Sequence, residues 1–192
     1  MTDLESAGDL VFGYGSLAAE TDFLPIRDPH PRGWVADLTG HRRVWGVAMD
    51  NSIAIPGYKR YVDLETGDPP AVMVAFLDVV PDPDAAVNGV LAPVTAESLD
   101  ALDDRERNYR RVEVTDRVRP TAPARVWTFK GRPDARERLR SGLATSDAVI
   151  SRGYLEAVET GFRRLGTGEW ERYAASTEDP PCPVRDLRRV DL

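Results

Sequence analysis

Val11-Phe12-Gly13-Tyr14-Gly15-Ser16-Leu17 is the stretch around which the rest of the chain is organised. The run Leu10-Val11-Phe12 is apolar and typical of a buried strand. Gly13 and Gly15 then allow a sharp turn and a close approach to the backbone. Backbone amides after such a turn can point outward together and donate to an anion or an oxyanion. The stretch therefore predicts the floor of a binding site, and the simpler alternative is a strand that ends in an ordinary glycine turn.

A dinucleotide site is the first rival hypothesis for these residues. Residues 13–18 fit the pattern G-x-G-x-x-A. That pattern requires a long helix after the glycines, because the helix N-terminus holds the pyrophosphate. Proline stops helices, and Pro25, Pro29 and Pro31 follow within a few residues. We therefore exclude a dinucleotide-binding domain and predict an irregular segment over 22–32.

Length and composition predict one globular domain. The chain has 192 residues, of which 42% are hydrophobic and 30% charged, which suffices for a core and a soluble surface. We expect a single domain over 1–192, with 1–8 and 177–192 as peripheral tails. No apolar run approaches the ~20 residues of a membrane span, and no secretion signal is visible. We therefore expect a cytoplasmic protein that does not bind a membrane.

The charge and the scarce metal-binding side chains exclude further classes. A net charge of −7 argues against a nucleic-acid partner. Cys182 is the only cysteine, and His30 and His41 are the only histidines, so we expect neither an intrachain disulfide nor a zinc site. A Mg²⁺ site made of carboxylates alone stays open, although no acidic cluster has a recognised spacing. We expect no metal and no cofactor, and the oligomeric state, monomer or dimer, is left open.

The order of predicted elements favours an α+β fold. Strands dominate the first two thirds and helices cluster late, which differs from alternating βαβ units. Short strands with bends at glycine are typical of a small closed or strongly curled mixed β-barrel with helices packed around it. After residues 10–12, the predicted strands are 34–37, 40–49, 58–64, 71–80, 87–94 (with a bulge at Gly89), 112–118 and 125–129, with a loop at 81–84. The predicted helices are 95–105, 134–143 and 151–165.

A second candidate site element lies where the helix at 95–105 ends. Leu99 and Leu102 share one face of this helix and fix the direction of Glu106 at its end. Tyr109 follows three residues later and leads into the next strand. We predict that Arg105 and Arg107 point outward, away from Glu106. A solvated run of charges is the simpler alternative for this segment.

Several of these motifs together resemble the γ-glutamylcyclotransferase-like family, over roughly residues 9–165. The resemblance implies a small β-barrel with helices around it. It also implies that Tyr14, Gly15, Ser16 and Leu17 grip the amino-acid end of a γ-glutamyl group. Glu106 matches the catalytic glutamate of the family, and Tyr109 and Tyr154 match substrate-facing tyrosines. The motifs are Tyr14-Gly15-Ser16-Leu17, Gly40-His41-Arg42-Arg43-Val44-Trp45, Val87-Asn88-Gly89-Val90-Leu91, Leu102-Asp103-Asp104-Arg105-Glu106 with Tyr109 and Arg111, and Ser151-Arg152-Gly153-Tyr154-Leu155 with Gly161.

The residue types suit the chemistry that the resemblance implies. A small-molecule γ-glutamyl substrate would cyclise when its α-amine attacks its own γ-amide carbonyl, releasing 5-oxoproline and a free amine. One carboxylate, Glu106, can act first as the base and then as the acid. The amides of the glycine turn can hold the oxyanion, at ~3 kcal/mol per donor. Because the nucleophile is tethered, positioning replaces covalent catalysis, and no metal or cofactor is required.

Other functions remain open at this stage. Ser16 could be a hydrolytic nucleophile if His30 or His41 served as its base. The same site could pass a γ-glutamyl group to water or another amine, or bind a γ-glutamyl compound without catalysis. The four strand arginines, which could meet a substrate carboxylate, are better explained by a solvated strand face. They are Arg42, Arg43, Arg110 and Arg111.

Overall fold

A computed structural model describes residues 8–19, 33–122 and 124–192, so the segment predicted to be irregular at 22–32 lies outside the described residues. The elements follow in chain order. They are β1 (Leu10–Gly13), α1 (Ser16–Ala19), β2 (Trp34–Asp50), β3 (Lys59–Asp63), β4 (Met73–Pro93), α2 (Ala96–Arg105), β5 (Tyr109–Glu113), β6 (Val118–Arg119), β7 (Val126–Gly131), α3 (Pro133–Thr145), β8 (Ala148–Ser151), α4 (Arg152–Arg164), α5 (Thr167–Ser176), β9 (Val184–Arg185) and β10 (Leu187–Asp191).

A strongly curled mixed sheet organises the molecule, with the strand order β5-β7-β1-β4-β2-β6. β1 runs antiparallel to β4 and parallel to β7, so the glycine turn after β1 leaves the middle of the sheet. β8 extends the sheet by pairing in parallel with β4, and β3 pairs with β10 in a separate ribbon. The helices pack around this sheet. The predicted α+β class with a strongly curled mixed sheet is confirmed.

Two long strands replace four predicted ones. The predicted strands 34–37 and 40–49 both lie within β2, and most of the predicted strands 71–80 and 87–94 lies within β4, which runs from Met73 to Pro93. The predicted loop at 81–84 falls within β4, where the pairing jumps from Thr39↔Ala86 to His41↔Pro81. Four residues of β4 thus stand opposite Gly40, which has a φ of +71°. Proline and aspartate mark a break in regular pairing, and sequence alone does not distinguish a large bulge of this kind from a loop.

Helices α2 and α4 lie close to their predicted positions. Thr95 caps α2 by accepting a hydrogen bond from the Ser98 amide at 3.1 Å, and Leu99 and Leu102 are buried on its inner face. The apolar stripe of α4 packs on the sheet, with Val158 and Phe162 fully buried. Burial of these faces supplies most of the free energy that holds each helix in place. Consequently the end of α2 is a fixed point at the edge of the sheet.

The prediction that residues 177–192 form a peripheral tail is wrong for most of this segment. Residues 184–185 form β9, which pairs with β8, and Leu187–Asp191 form β10, which pairs with all five residues of β3. Leu187 is buried in a hydrophobic cluster that includes Tyr58, Tyr61 and Phe76. The sequence does not predict these strands, because prolines precede them and their many arginines leave only a short, weak apolar alternation. This segment therefore belongs to the folded body of the protein.

Gly89, predicted to form a bulge, instead sits in regular pairing opposite Ala36. The strand packs so closely here that a Cβ atom on residue 89 would lie 2.3 Å from the Gly13 carbonyl oxygen and 2.7 Å from Phe12 Cζ. These neighbours are a backbone carbonyl and a buried ring, and neither can shift without disturbing the close packing around it. Gly89 is therefore a packing requirement beneath the glycine turn.

We expect Gly89→Ala to lower the free energy of unfolding by about 3 kcal/mol through overpacking. Urea denaturation followed by circular dichroism measures this change. Gly168→Ala in α5 is the matched control, because a Cβ atom there meets nothing within 4 Å and alanine favours helix. An unchanged urea midpoint for Gly89→Ala would contradict the prediction.

The environment of His41 should make the protein less stable at mildly acidic pH. Its Nδ1 lies 3.0 Å from the Thr39 carbonyl oxygen and its Nε2 lies 3.0 Å from Lys130 Nζ, so the ring is neutral, with Nδ1 donating and Nε2 accepting. Burial lowers the pKa of His41 below its ordinary 6.5, and the charges of Lys130 and Arg117 lower it further. Below pH 6.5 the unfolded chain therefore takes up a proton that the folded chain resists.

The free energy of unfolding should accordingly fall as the pH drops from 6.5 to the folded-state pKa of His41. Urea denaturation at a series of pH values measures the slope. In His41→Gln this contribution should disappear and the slope between pH 6.5 and 5 should flatten. Equal slopes for the two proteins would show that His41 does not cause the loss.

Candidate active site

The glycine turn is held rigidly at the end of β1. Tyr14 Oη donates to the Phe129 carbonyl at 2.6 Å, and the Gly15 carbonyl accepts from the Ala18 amide at 2.9 Å. A Cβ atom on Gly13 would lie 2.8 Å from Leu17 and Ala18, so the chain folds back tightly on itself. The sequence prediction of a close turn at Gly13 is thereby explained by packing.

Arg43 anchors this turn from beneath, which corrects the prediction that it lies on a solvated strand face. Its side chain is almost completely buried, whereas Arg42 and Arg110 are exposed as predicted. Arg43 Nε donates to the Tyr14 carbonyl at 2.9 Å. The other guanidinium nitrogens donate to the Asn88 carbonyl at 2.5 Å and to Thr177 Oγ1 at 2.9 Å. The guanidinium thus joins the turn to β4 and to the end of α5.

The guanidinium of Arg43 packs against two aromatic rings. The guanidinium carbon lies 4.6 Å from the ring centre of Tyr173 and 4.9 Å from that of Phe162. Cation–π attraction stabilises a desolvated guanidinium in such a position. Burial lowers the pKa of Arg43 to about 10, so it remains protonated at neutral pH.

The anchoring of the Tyr14 carbonyl determines where the next amide points. A trans peptide directs its N–H opposite to its C=O, so the Gly15 N–H faces away from Arg43. Within residues 8–19, 33–122 and 124–192, neither the Gly15 nor the Ser16 amide donates to a protein acceptor. Two backbone donors are consequently available to a ligand.

Leu77 on β4 orders two of the predicted site tyrosines. Tyr109 Oη donates to the Leu77 carbonyl at 2.7 Å, and the Leu77 amide donates to Tyr154 Oη at 3.3 Å. The Tyr154 oxygen lies over the turn, 3.3 Å from the position of a Cβ atom on Gly15. Among the described residues the Tyr154 hydroxyl proton has no acceptor, so it too is available to a ligand.

The site tyrosines remain protonated. Burial raises the pKa of Tyr14, Tyr109 and Tyr154 well above their ordinary value of 10.0, and the negative charge of Glu106 raises each further. A phenol that stays neutral can donate a hydrogen bond but does not serve as a base at physiological pH. Glu106 lines the same cleft as these tyrosines and can accept a proton there.

Glu106 is fixed by its position at the end of α2. Its amide donates to the Leu102 carbonyl at 2.8 Å, and its carbonyl accepts from the Tyr109 amide at 2.8 Å. The carboxylate is 10% exposed, and Oε1 lies 3.3 Å from Arg105 Nε. The prediction that Arg105 points away from Glu106 is therefore wrong, whereas Arg107 is exposed as predicted.

All seven residues predicted from sequence line one narrow cleft, which we name the inner cleft. The structure adds Leu77 and Phe129, which sequence reasoning missed because they carry no chemical signature and act through backbone groups. His41, which bonds to Lys130, does not line the inner cleft with Ser16, and His30 lies outside the described residues. The inner cleft is lined by Tyr14, Gly15, Ser16, Leu17, Leu77, Glu106, Tyr109, Phe129 and Tyr154.

A wider cavity of about 430 Å³ adjoins the inner cleft, and we name it the outer cleft. The two clefts share Ser16 and Tyr154. The walls of the outer cleft come from β3, the start of α4 and β10. Sequence reasoning missed this cavity because it assigned residues 177–192 to a tail.

The described part of the chain contains neither a metal-binding cluster nor a membrane-spanning helix. No three His, Cys, Asp or Glu side chains there come together in a way that could hold a metal ion. No helix there is both long enough and apolar enough to cross a membrane.

The family model described as gamma-glutamyl cyclotransferase, AIG2-like, matches residues 11–147, which is more than two thirds of the sequence. The chain therefore belongs to this family. The predicted resemblance is confirmed, and the sequence matches no curated protein.

Solved structures share the fold at low sequence identity. A yeast γ-glutamyl cyclotransferase specific to glutathione is 14% identical, with a TM-score of 0.54 over 91% of this chain and 99% of that one. An uncharacterised protein from Homo sapiens is 17% identical, with a TM-score of 0.49 over 89% of each chain. A structure named gamma-glutamyl cyclotransferase is 16% identical, with a TM-score of 0.47 over 89% of each chain. The likeness to the yeast structure, with its TM-score of 0.54 at 14% identity, concerns the fold alone.

Proposed function

We propose that the protein is a cyclotransferase that converts a γ-glutamyl amide or peptide into 5-oxoproline and a free amine. The observation that carries the proposal is the buried carboxylate of Glu106 in the same narrow cleft as the glycine turn. Membership of the γ-glutamyl cyclotransferase family supports the same reaction class. The roles of the individual residues below are part of this proposal.

The donors of the inner cleft suit the negative charges of the reaction. The Gly15 and Ser16 amides and the Tyr154 hydroxyl are directed groups without a protein acceptor among the described residues. The α-carboxylate of the glutamyl group and the oxyanion of the tetrahedral intermediate both require such donors. Donors fixed before the reaction need little reorganisation as charge develops, which is the basis of oxyanion stabilisation. Arg43 contributes by positioning, through its bond to the Tyr14 carbonyl.

Glu106 moves the proton. It first accepts a proton from the α-ammonium of the substrate, so that the nitrogen lone pair can attack the γ-carbonyl carbon. A new C–N bond closes the five-membered ring, and the carbonyl electrons move to the oxyanion. Glu106 then returns the proton to the leaving nitrogen as the original C–N bond breaks and the carbonyl re-forms. The attacking nitrogen loses its second proton, again through Glu106, so the lactam nitrogen ends neutral and the released amine ends as an ammonium. General acid–base catalysis of this kind contributes about 10²–10⁴-fold to a rate.

Mass spectrometry of the products tests the proposal. The purified protein should release 5-oxoproline and an equimolar amine from at least one compound in a panel of γ-glutamyl amino acids, γ-glutamyl amines and glutathione. Release of free glutamate would instead indicate a hydrolase. A rise in melting temperature with one compound but no turnover would indicate a binding protein. Either of these results would overturn the proposal.

A further inference from the structure

The sheet has a gap beside the inner cleft. β2 runs along one edge of β4, so β8 and β1 share the other edge, where they pair with residues 73–74 and 90–93. Between these two stretches no strand of the described residues pairs with that edge. Leu77 lies in this gap, where its carbonyl accepts from Tyr109 Oη and its amide donates to Tyr154 Oη. Because no paired strand holds this wall of the inner cleft, side-chain contacts must hold it.

Asp78, the next residue along β4, crosses the gap with a buried carboxylate. Its side chain has no exposed surface. Oδ1 accepts hydrogen bonds from the amides of Val79 and Gly131, both at 2.8 Å. Gly131 is the last residue of β7, which lies beyond β1 in the order of the sheet. The carboxylate therefore joins β4 to a strand with which β4 does not pair.

Arg136, in the first turn of α3, supplies the positive charge that a buried carboxylate requires. Its Nε and Nη2 lie 2.8 Å and 2.7 Å from Asp78 Oδ2. Each carboxylate oxygen thus accepts two hydrogen bonds, and charge-assisted bonds of this kind have a defined geometry. Because the removal of water from two charges offsets most of their attraction, such a pair is weak evidence of added stability. The pair is better explained by the geometry that it fixes.

Two glycines close the space around the carboxylate. A Cβ atom on Gly131 would lie 2.5 Å from Asp78 Oδ2, and a Cβ atom on Gly46 would lie 2.6 Å from Asp78 Cβ. Both distances are shorter than van der Waals contact, so neither position has room for a side chain beside the aspartate. The carboxylate is therefore confined to a slot between β2 and β7.

These contacts form a closed ring that includes two residues of the inner cleft. Asp78 bonds to Gly131, which pairs with Tyr109 at the start of β5. Tyr109 in turn donates to the carbonyl of Leu77, the neighbour of Asp78 in the chain. Tyr109 and Leu77 line the inner cleft together with Glu106. A displacement of the buried carboxylate should therefore reach the cleft through one strand pair and one hydrogen bond.

We propose that Asp78, held by Arg136, is a positioning residue that fixes the Tyr109 wall of the inner cleft across the gap in the sheet. This inference rests on the proposed cyclotransferase function. Asp78 lines neither cleft, so it acts through its neighbours and does not touch the substrate. The glycine turn has a separate anchor in Arg43. Loss of the carboxylate should therefore disturb the alignment of the reacting groups more than the binding of the glutamyl group.

Asp78→Asn should lower kcat for 5-oxoproline release about 10-fold, with a smaller change in KM. Asparagine has the shape of aspartate, but it accepts the Gly131 bond without a charge and turns an NH₂ group toward the donors of Arg136. The side chain of Arg136 is 35% exposed, so it can turn to solvent and the variant should fold. Kinetics are measured on the panel compound that wild-type protein converts fastest.

Arg136→Lys is the second variant, for the case that Asp78→Asn folds poorly. Lysine keeps the charge but not the planar pair of donors, so kcat should fall about threefold. Asp134→Asn is the matched control, because Asp134 also pairs with an arginine of α3, Arg138, at 2.8 Å, but lines neither cleft. Its kcat should equal that of wild type. Thermal unfolding establishes that each variant is folded at the assay temperature.

A double-mutant cycle separates positioning from a general loss of stability. Tyr109→Phe removes the bond to Leu77 through which Asp78 acts. In that background Asp78→Asn should lower kcat by less than about threefold, because the two changes break the same ring. A general structural loss would instead multiply with the effect of Tyr109→Phe. The same cycle applies to Arg136→Lys.

The outcomes separate the two proposals. If wild-type protein releases 5-oxoproline but both variants keep the wild-type kcat, or if the effects in the cycle multiply, the positioning role is contradicted and the cyclotransferase function stands. If no compound of the panel yields 5-oxoproline, the proposed function fails and the inference fails with it.

Discussion

Replacing Glu106 by glutamine should lower kcat for 5-oxoproline release by about 10³-fold. Glutamine has the same shape as glutamate but cannot accept the proton of the α-ammonium. The backbone bonds of residue 106 to Leu102 and Tyr109 do not involve the side chain, so the variant should fold. KM should rise less than kcat falls, since glutamine keeps an acceptor oxygen for the α-ammonium although it loses the negative charge. Steady-state kinetics by mass spectrometry measures both constants.

Glu171→Gln is the control for the Glu106 experiment. Glu171 is an exposed residue of α5 that lines neither cleft, so its kcat should match that of wild type. Thermal unfolding of all three proteins establishes that they are equally folded at the assay temperature. A folded Glu106→Gln protein that keeps more than about one tenth of the wild-type kcat would remove Glu106 from the role of base.

Arg43→Met should lower the free energy of unfolding by about 3 kcal/mol and also reduce kcat in the molecules that remain folded. Methionine fills much of the space but leaves buried acceptors unpaired, above all the carbonyls of Tyr14 and Asn88. It also removes a cation that lies 4.6 Å from the ring centre of Tyr173 and 4.9 Å from that of Phe162. Without its anchor the glycine turn no longer holds its amides in one direction. Urea denaturation and kcat measured well below the melting temperature give the two effects.

Arg42→Met is a close control, because Arg42 is the preceding residue on the same strand. Its side chain is 46% exposed and meets Glu178 at 2.7 Å on the surface. An exposed ion pair contributes about 0–1 kcal/mol, so the urea midpoint should hardly move. Arg43→Lys keeps the charge but not the planar set of donors, and it should recover only part of the stability. Equal stability of Arg43→Met and wild type would contradict the anchoring role.

The parts of the site that could be predicted from the sequence have local causes. Glycines at 13 and 15 mark a tight turn whatever surrounds them, and a capped amphipathic helix fixes the position of Glu106. For these residues the short-range signals and the final contacts agree. That the seven predicted residues line one cleft agrees with what the family resemblance implied, while their individual roles stay a prediction.

The parts that could not be predicted depend on distant contacts. Arg43 looks like its solvated neighbour Arg42, because the groups that accept its hydrogen bonds include Thr177, 134 positions along the chain. The large bulge in β4 has the composition of a loop. The segment at β10 becomes a strand only because it can pair with the edge of β3. Sequence periodicity reports which face a residue prefers, but it does not report which partner will cover that face.

The late position of the Arg43 partners has a consequence for synthesis on the ribosome. A growing chain exposes the glycine turn and Glu106 well before Thr177 and the strand β10 have been made. Until then the Arg43 guanidinium lacks part of its hydrogen bonding, and β3 presents an unpaired edge. Non-local contacts of this kind form late and favour slow folding. We therefore expect a nascent chain to acquire its reactive groups first and a rigid site only after Thr177 and β10 have been added.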